Sequence, residues 1–281
     1  MEKTTQFKKM SLSKRTRSML NVDFRRMFKS KLFYILIASA LLIPIVMTVM
    51  MSMMDGSISV DPQTGAESVI HGPVNAWQNI GTPPGLETTD QTDAADGMGM
   101  GAGMDIFSMC NINIMFMLVA VFICLFISDD FRSGYAKNLF TVRAKRGDYV
   151  ISKTIAGVIC GVLMLIAYFI GSMLGGAMAG LSFDLGGLRV FNVVMCMISK
   201  MLLMFVFVPI FVLVSVAAKQ KAWLSICGSL GGGMLLFMMV GMITPLNAAL
   251  MNVVLCAAGG AMFAFGLGTA SKSVLQKTSL V

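Results

Sequence analysis

The sequence predicts an all-α integral membrane protein with six transmembrane helices, a cytoplasmic amphipathic helix ahead of the first and a loosely structured outer loop after it. Three observations lead there. The chain of 281 residues is 56% hydrophobic and 13% charged, with a mean hydropathy of +0.79, which suits a bilayer as solvent better than water. Its apolar residues gather in runs near the roughly 20 residues that a helix needs to cross a 30 Å hydrocarbon core, and backbone in lipid must pair within its own segment, so such runs read as helices. Its Lys and Arg cluster between alternate runs, the pattern that orients membrane proteins.

In chain order, the 1–31 segment is a cytoplasmic connecting segment holding ten of the 22 basic residues once Lys31 is included. Within LNVDFRRMFKSKLFY, Leu20, Phe24, Met27 and Phe28 share one helical face while Arg25, Arg26 and Lys29 lie on the polar side, as an interfacial helix requires. The first span is expected at Leu32–Met54, kinked at Pro44. It is too long for a signal-peptide core, and no cleavable leader is expected. The 55–105 loop carries eight acidic residues, one His and no Lys or Arg. Its Gly, Pro, Asp and Thr favour turns over a packed domain.

The remaining spans are expected at Ile106–Ser128, Tyr149–Ala179, Met201–Ala218 with an apolar lead-in from Val190 and a kink at Pro209, Trp223–Thr244, and Ala248–Ala270. With both termini in the cytoplasm, 20 of the 22 basic residues lie inside, leaving Arg189 outside and Lys200 in or just outside the fourth span. The whole of 1–281 is then a single transmembrane domain, with 129–150 as a cytoplasmic segment. Gly157 and Gly161, Gly171 and Gly175, and Gly176 and Gly180 are GxxxG pairs, read first as packing within one chain.

Several chemistries are disfavoured. No Asp, Glu or His lies near the middle of any run, whereas gradient-driven carriers usually need such groups as relays. The chain contains no Gly-Lys pair, so the phosphate cradle GxxxxGK[ST] is missing. No catalytic residue and no cofactor are expected in this chain, and any ATP is hydrolysed by another polypeptide. The six cysteines, Cys110, Cys124, Cys160, Cys196, Cys227 and Cys256, fall in or beside apolar runs and read as small buried side chains, not an outer disulfide framework. Methionines cluster in VMTVMMSMMD and DGMGMGAGMD. Thioethers can hold copper(I), so a Met-rich copper-handling protein or a stand-alone channel is the alternative. His71 is the single His, no thiolate motif accompanies it, and no metal site is expected.

The stretch SDDFRSGYAKNLFTVRAKRGDYVISK, residues 128 to 153, holds nine charged side chains. From Asp130, Phe131, Tyr135, Leu139 and Val142 form one helical stripe with Arg132 and Lys137 off it. Two readings stand side by side: charges that anchor the flanking spans at the inner surface, and a short amphipathic helix that docks a cytoplasmic partner.

The acidic pair Asp129 and Asp130, Phe131, the Ser133-Gly134 pair, Lys137, Asn138-Leu139, Arg146 and Lys153 resemble the segment after the second helix in type-two ABC transporter permeases. The six-helix permeases of bacitracin and lantibiotic resistance, drug export and sodium efflux are the nearest in pattern. The stretch from Leu20 resembles that family's connecting helix, with Leu20, Phe24, Arg25, Arg26 and Phe28 as its site residues. Where the family commonly has Glu and Thr, this chain has Asp129, Asp130 and Tyr135.

The resemblance implies that residues 129–150 hold a coupling helix seated in a groove of an ABC ATP-binding subunit, with Asp129, Asp130, Phe131, Gly134, Tyr135, Lys137, Arg146 and Lys153 as the coupling set. It implies a second permease copy or a related permease, ATP and Mg in the partner ATPase, membrane lipid as surroundings and no nucleic acid. It further implies a bacterial plasma membrane and export of an amphiphile such as an antimicrobial peptide or drug.

Overall fold

The computed structural model describes residues 12–60, 67–69, 72–81, 111–142, 146–185, 187–219 and 221–277. Helix α1 (Leu12–Lys29) and helix α2 (Lys31–Met53) are separated by Ser30 alone, whose backbone is extended. A short antiparallel pair, β1 (Ile58–Val60) and β2 (Glu67–Val69), and a 3-10 turn at Ala76–Asn79 follow. Then come α3 (Ile114–Arg132), α4 (Tyr135–Val142), α5 (Arg146–Met178), α6 (Val190–Ala218), α7 (Ala222–Ile243) and α8 (Leu250–Lys277). Among the described residues, α2, α3, α5, α6 and α8 are the five helices long and apolar enough to cross a membrane. The protein is a multi-pass membrane protein.

Helices α3, α5 and α6 form the centre, with α2 laid along α5, α8 along α6, and α7 against α3 and α6. Phe116, Phe122, Tyr168, Met204, Phe207 and Phe211 are buried there. The outer face of α8 exposes Leu255, Met262 and Phe265, a surface for lipid. Inside a bilayer no hydrophobic force drives helices together, so close approach depends on small residues and on interhelical hydrogen bonds. Cys124 of α3 donates to Ser229 Oγ of α7 at 3.1 Å, and Ser225 of α7 donates to Ser215 Oγ of α6 at 2.8 Å.

The glycine pairs act within the chain. A Cβ on Gly171 would strike the Leu41 carbonyl and the Pro44 ring, and one on Gly175 would meet Ile45 and Thr48 of the same helix, α2. Gly157 faces Val208 and Ile123, and Gly161 faces Met204. Gly171→Ala is expected to destabilise by about 2 kcal/mol, since a backbone carbonyl cannot yield as a side chain does. Thermal unfolding in detergent checks this, with Gly268→Ala as the comparison because nothing lies within 4 Å of a Cβ built there.

Several span boundaries differ from expectation. The second spanning helix begins at Ile114, not Ile106, and runs on through Asp129, Asp130 and Arg132. Residues 106–110 lie outside the described residues, and Asn111 to Asn113 form a turn closed by hydrogen bonds from Ile114 N and Met115 N. The acidic pair therefore belongs to the end of a span, a placement its buried partners explain below. The fourth span is one helix from Val190, so Lys200 lies well inside it. Lys272 and Lys277 likewise end α8 in place of a tail.

The described part of the 55–105 loop is more ordered than its composition suggests. Asn75 and Gln78 form a capping box on the 3-10 turn. Asn79 donates to Thr48 Oγ1 of α2 at 2.7 Å, Ile112 N donates to Asn79 O at 2.9 Å, and Trp77 Nε1 donates to Phe183 O at 3.1 Å. Paired polar groups let this segment pack over the ends of α2, α3 and α5 at little cost, which composition alone does not reveal.

Candidate functional site

The charges of α1, α3 and α5 meet in one buried cluster. Helix α1 turns Met19, Asp23 and Met27, spaced four residues apart, toward the protein, and Asp23 is fully buried. Of the expected face Met27 is fully buried, whereas Leu20 and Phe24 are half-buried flanks and Phe28 is 45% exposed. An amphipathic pattern locates a helix but not its rotation once a buried ion pair is available. Arg25 lies on the exposed side.

Lys153, about two turns into the third spanning helix, is 1% exposed. Its Nζ donates to Asp23 Oδ1 at 2.9 Å, pairs with Asp130 Oδ2 at 2.7 Å and sits 3.8 Å from the centre of the Phe126 ring. Asp130, also fully buried, accepts from Arg26 Nη1 at 2.5 Å and from the Tyr149 hydroxyl at 2.9 Å. Ser152 Oγ donates to the second Asp23 oxygen at 2.5 Å. Two carboxylates and two cations balance, and each carboxylate oxygen has a partner, which is the condition under which buried charge is tolerated.

Arg26 also stacks over Tyr135, the first residue of α4, at 4.2 Å from the ring centre. Burial would lower the Arg26 pKa, but the charge and hydrogen bond of Asp130 offset it, and the guanidinium stays above its ordinary value. The Tyr135 phenol is pushed up, first by burial and then by the field of Asp23, against the opposing pull of Arg26.

The expected coupling residues divide by environment. Asp130, Phe131 and Lys153 face inward, Phe131 at 8% exposure. The stripe through Phe131, Tyr135 and Leu139 is not one helix, because α3 ends at Arg132 and Gly134 turns the chain at φ +75 before α4. Only glycine takes that angle without strain. Lys137 is exposed on α4, and Asp129 is exposed 3.9 Å from Arg26. Arg146 reaches the end of α8, donating to the carbonyls of Leu275 and, at 3.2 Å, Gln276, where a cation suits the helix C-terminus.

Sequence reading missed Asp23, Tyr149 and Ser152. An acid inside the apolar stripe of α1 was the available signal for Asp23. The other two stand beside Lys153 with no pattern of their own.

A second polar site lies at the opposite end of the bundle. Lys200 is 1% exposed, and its Nζ donates to Asn113 Oδ1 at 2.9 Å and to Thr244 Oγ1 at 3.0 Å. Asn113 precedes α3 and Thr244 follows α7, so one ammonium ties three helices.

No group of three or more His, Cys, Asp or Glu that could hold a metal occurs among the described residues. Met98, Met100 and Met104 of the second methionine cluster lie outside them, as do His71 and Cys110. The arrangement ties three helices together through buried ion pairs.

The family model described as ABC-2 family transporter protein matches residues 85–235, more than half of the chain. Neither the curated proteins nor the solved structures include a match. Members of that family are membrane permeases without an ATPase domain and work with ATP-binding subunits. This chain belongs to the ABC-2 family of transporter membrane proteins.

Proposed function

We propose that this chain is the permease subunit of an ATP-driven exporter of amphiphiles such as antimicrobial peptides or drugs, acting with a second permease copy or a related one and with two ATP-binding subunits. All six expected spans cross the plasma membrane of a bacterium, with α7 as the fifth and both termini in the cytoplasm. The length of α7, 22 residues, and its hydrogen bonds to α3 and α6 support that count. The distribution of Lys and Arg supports the orientation.

In this reading α4 is the coupling helix. Lys137 and Tyr135 meet the ATPase, the Gly134 turn lets its backbone approach closely, and Asp129 and Arg146 flank the contact. Asp130, Phe131 and Lys153 carry the motion inward. The observation that supports this most is the buried cluster beside α4, because it joins α1, α3 and α5 through direct charge contacts. A push on α4 then moves three helices as one body, and ATP-driven closure of the partner dimer is converted into a change of access in the bundle.

Co-purification with a co-expressed ATP-binding subunit from a neighbouring reading frame tests the reading. Lys137→Glu is expected to lower the recovered ATPase about tenfold, a loss of roughly 1.4 kcal/mol, with membrane insertion unchanged. Undiminished ATPase recovery, or substrate transport into vesicles without any ATPase, sinks the proposal.

A further inference from the structure

We propose that the end of the bundle carrying the charge cluster binds the headgroup of an aminophospholipid, a zwitterion with one phosphate and one primary ammonium. A cavity of about 290 Å³ opens where Ser30, between α1 and α2, meets the C-terminal half of α3 and Ala222, the first residue of α7. That is close to the small end of the range for ligand pockets, about 300 Å³. It suits a headgroup with its glycerol, leaving the acyl chains outside along the lipid-facing helices.

The chemistry changes along its depth. Leu32, Phe122, Leu125 and Phe126 make it apolar on one side, the two rings stacked with centres 5.5 Å apart. Asp129 and Arg132, one of each sign and both exposed, line its polar side. Arg26 is 3.9 Å from Asp129, too far for a hydrogen bond, so the carboxylate retains accepting capacity. Ser128 also lines the cavity; it is 4% exposed, and its buried Oγ has no hydrogen-bond partner among the described residues. Buried hydroxyls are almost always paired, and Ser128 Oγ, closed off from the cavity as it stands, gains such a partner by a side-chain rotation toward a bound oxygen-rich ligand.

These features select among lipids. Arg132 suits a phosphate, and Asp129 suits an N–H donor. An anionic headgroup without an amine leaves Asp129 opposed to negative charge, and a choline headgroup offers no N–H. The site lies at the end of a membrane-spanning helix, hence at a membrane surface in either orientation, and it requires neither α4 nor an ATPase.

Native mass spectrometry of the full-length protein, delipidated and then given equal amounts of dioleoyl phosphatidylethanolamine, phosphatidylglycerol and phosphatidylcholine, tests it. The ethanolamine lipid is expected to be retained about tenfold over the other two, the factor one charge-assisted hydrogen bond supplies. Asp129→Asn should abolish that preference, and Arg132→Gln should weaken retention of all three. Glycerophosphoethanolamine, which lacks acyl chains, should compete only weakly; if it displaces the lipid at equal concentration, the ligand is a soluble phosphate and the lipid assignment fails. Equal retention of the three lipids, or a preference that survives Asp129→Asn, overturns the proposal while leaving the ATPase reading untouched.

Discussion

Lys153→Met is expected to cost about 3–5 kcal/mol, the range for removing one partner from a buried ion pair. The variant leaves Asp23 and Asp130 buried on either side of an apolar side chain, with Arg26 alone to balance them. Thermal unfolding in detergent reads the loss. Limited trypsin digestion localises it, because Arg25 and Arg26 become cleavable only when α1 leaves α5. The double variant Asp23→Asn with Lys153→Met should lose less than the sum of the two single changes, since contacting residues couple by about 0.5–3 kcal/mol. A Lys153→Met protein that unfolds within about 1 kcal/mol of the parent and resists trypsin equally would show that the cluster does not hold the joint.

Lys200→Ala is expected to cost about 3–5 kcal/mol at the other end of the bundle. It combines a cavity like that left by other large-to-Ala changes, about 2–5 kcal/mol, with the loss of the donor to Asn113 Oδ1 and Thr244 Oγ1. Lys200→Met keeps most of the volume and removes the desolvated charge, so it should cost at most about 1–2 kcal/mol, since replacing buried charge by a well-packed apolar group is often neutral. Chemical or thermal unfolding of the two variants side by side separates packing from charge. Equal losses would mean that the ammonium, and not the side-chain volume, ties α3 to α7.

Much of the fold was legible from the chain alone. Apolar run length located the long apolar helices because a helix in lipid must satisfy its own backbone, and α2 (Lys31–Met53) and α7 (Ala222–Ile243) lie within a residue of the apolar runs Leu32–Met54 and Trp223–Thr244. The missing Gly-Lys pair ruled out a phosphate cradle, and the charged stretch after the second span carried the family resemblance, which the match over residues 85–235 bears out.

Boundaries failed where a charge was buried. Asp129 and Asp130 read as the start of a loop because their cations, Arg26 and Lys153, are far away in sequence, yet in the fold those cations let α3 continue to Arg132. The same holds for the face of α1. Hydrophobic spacing favoured Leu20, Phe24, Met27 and Phe28, but with Asp23 paired to Lys153 the buried stripe is Met19, Asp23 and Met27, and Phe28 is exposed. Apolar run length is local and survives in the sequence, so it determined which segments form the long apolar helices. Charge compensation is a property of residues brought together from distant positions, so only the tertiary structure decided which polar groups are inside, where α3 ends and how the three helices are joined.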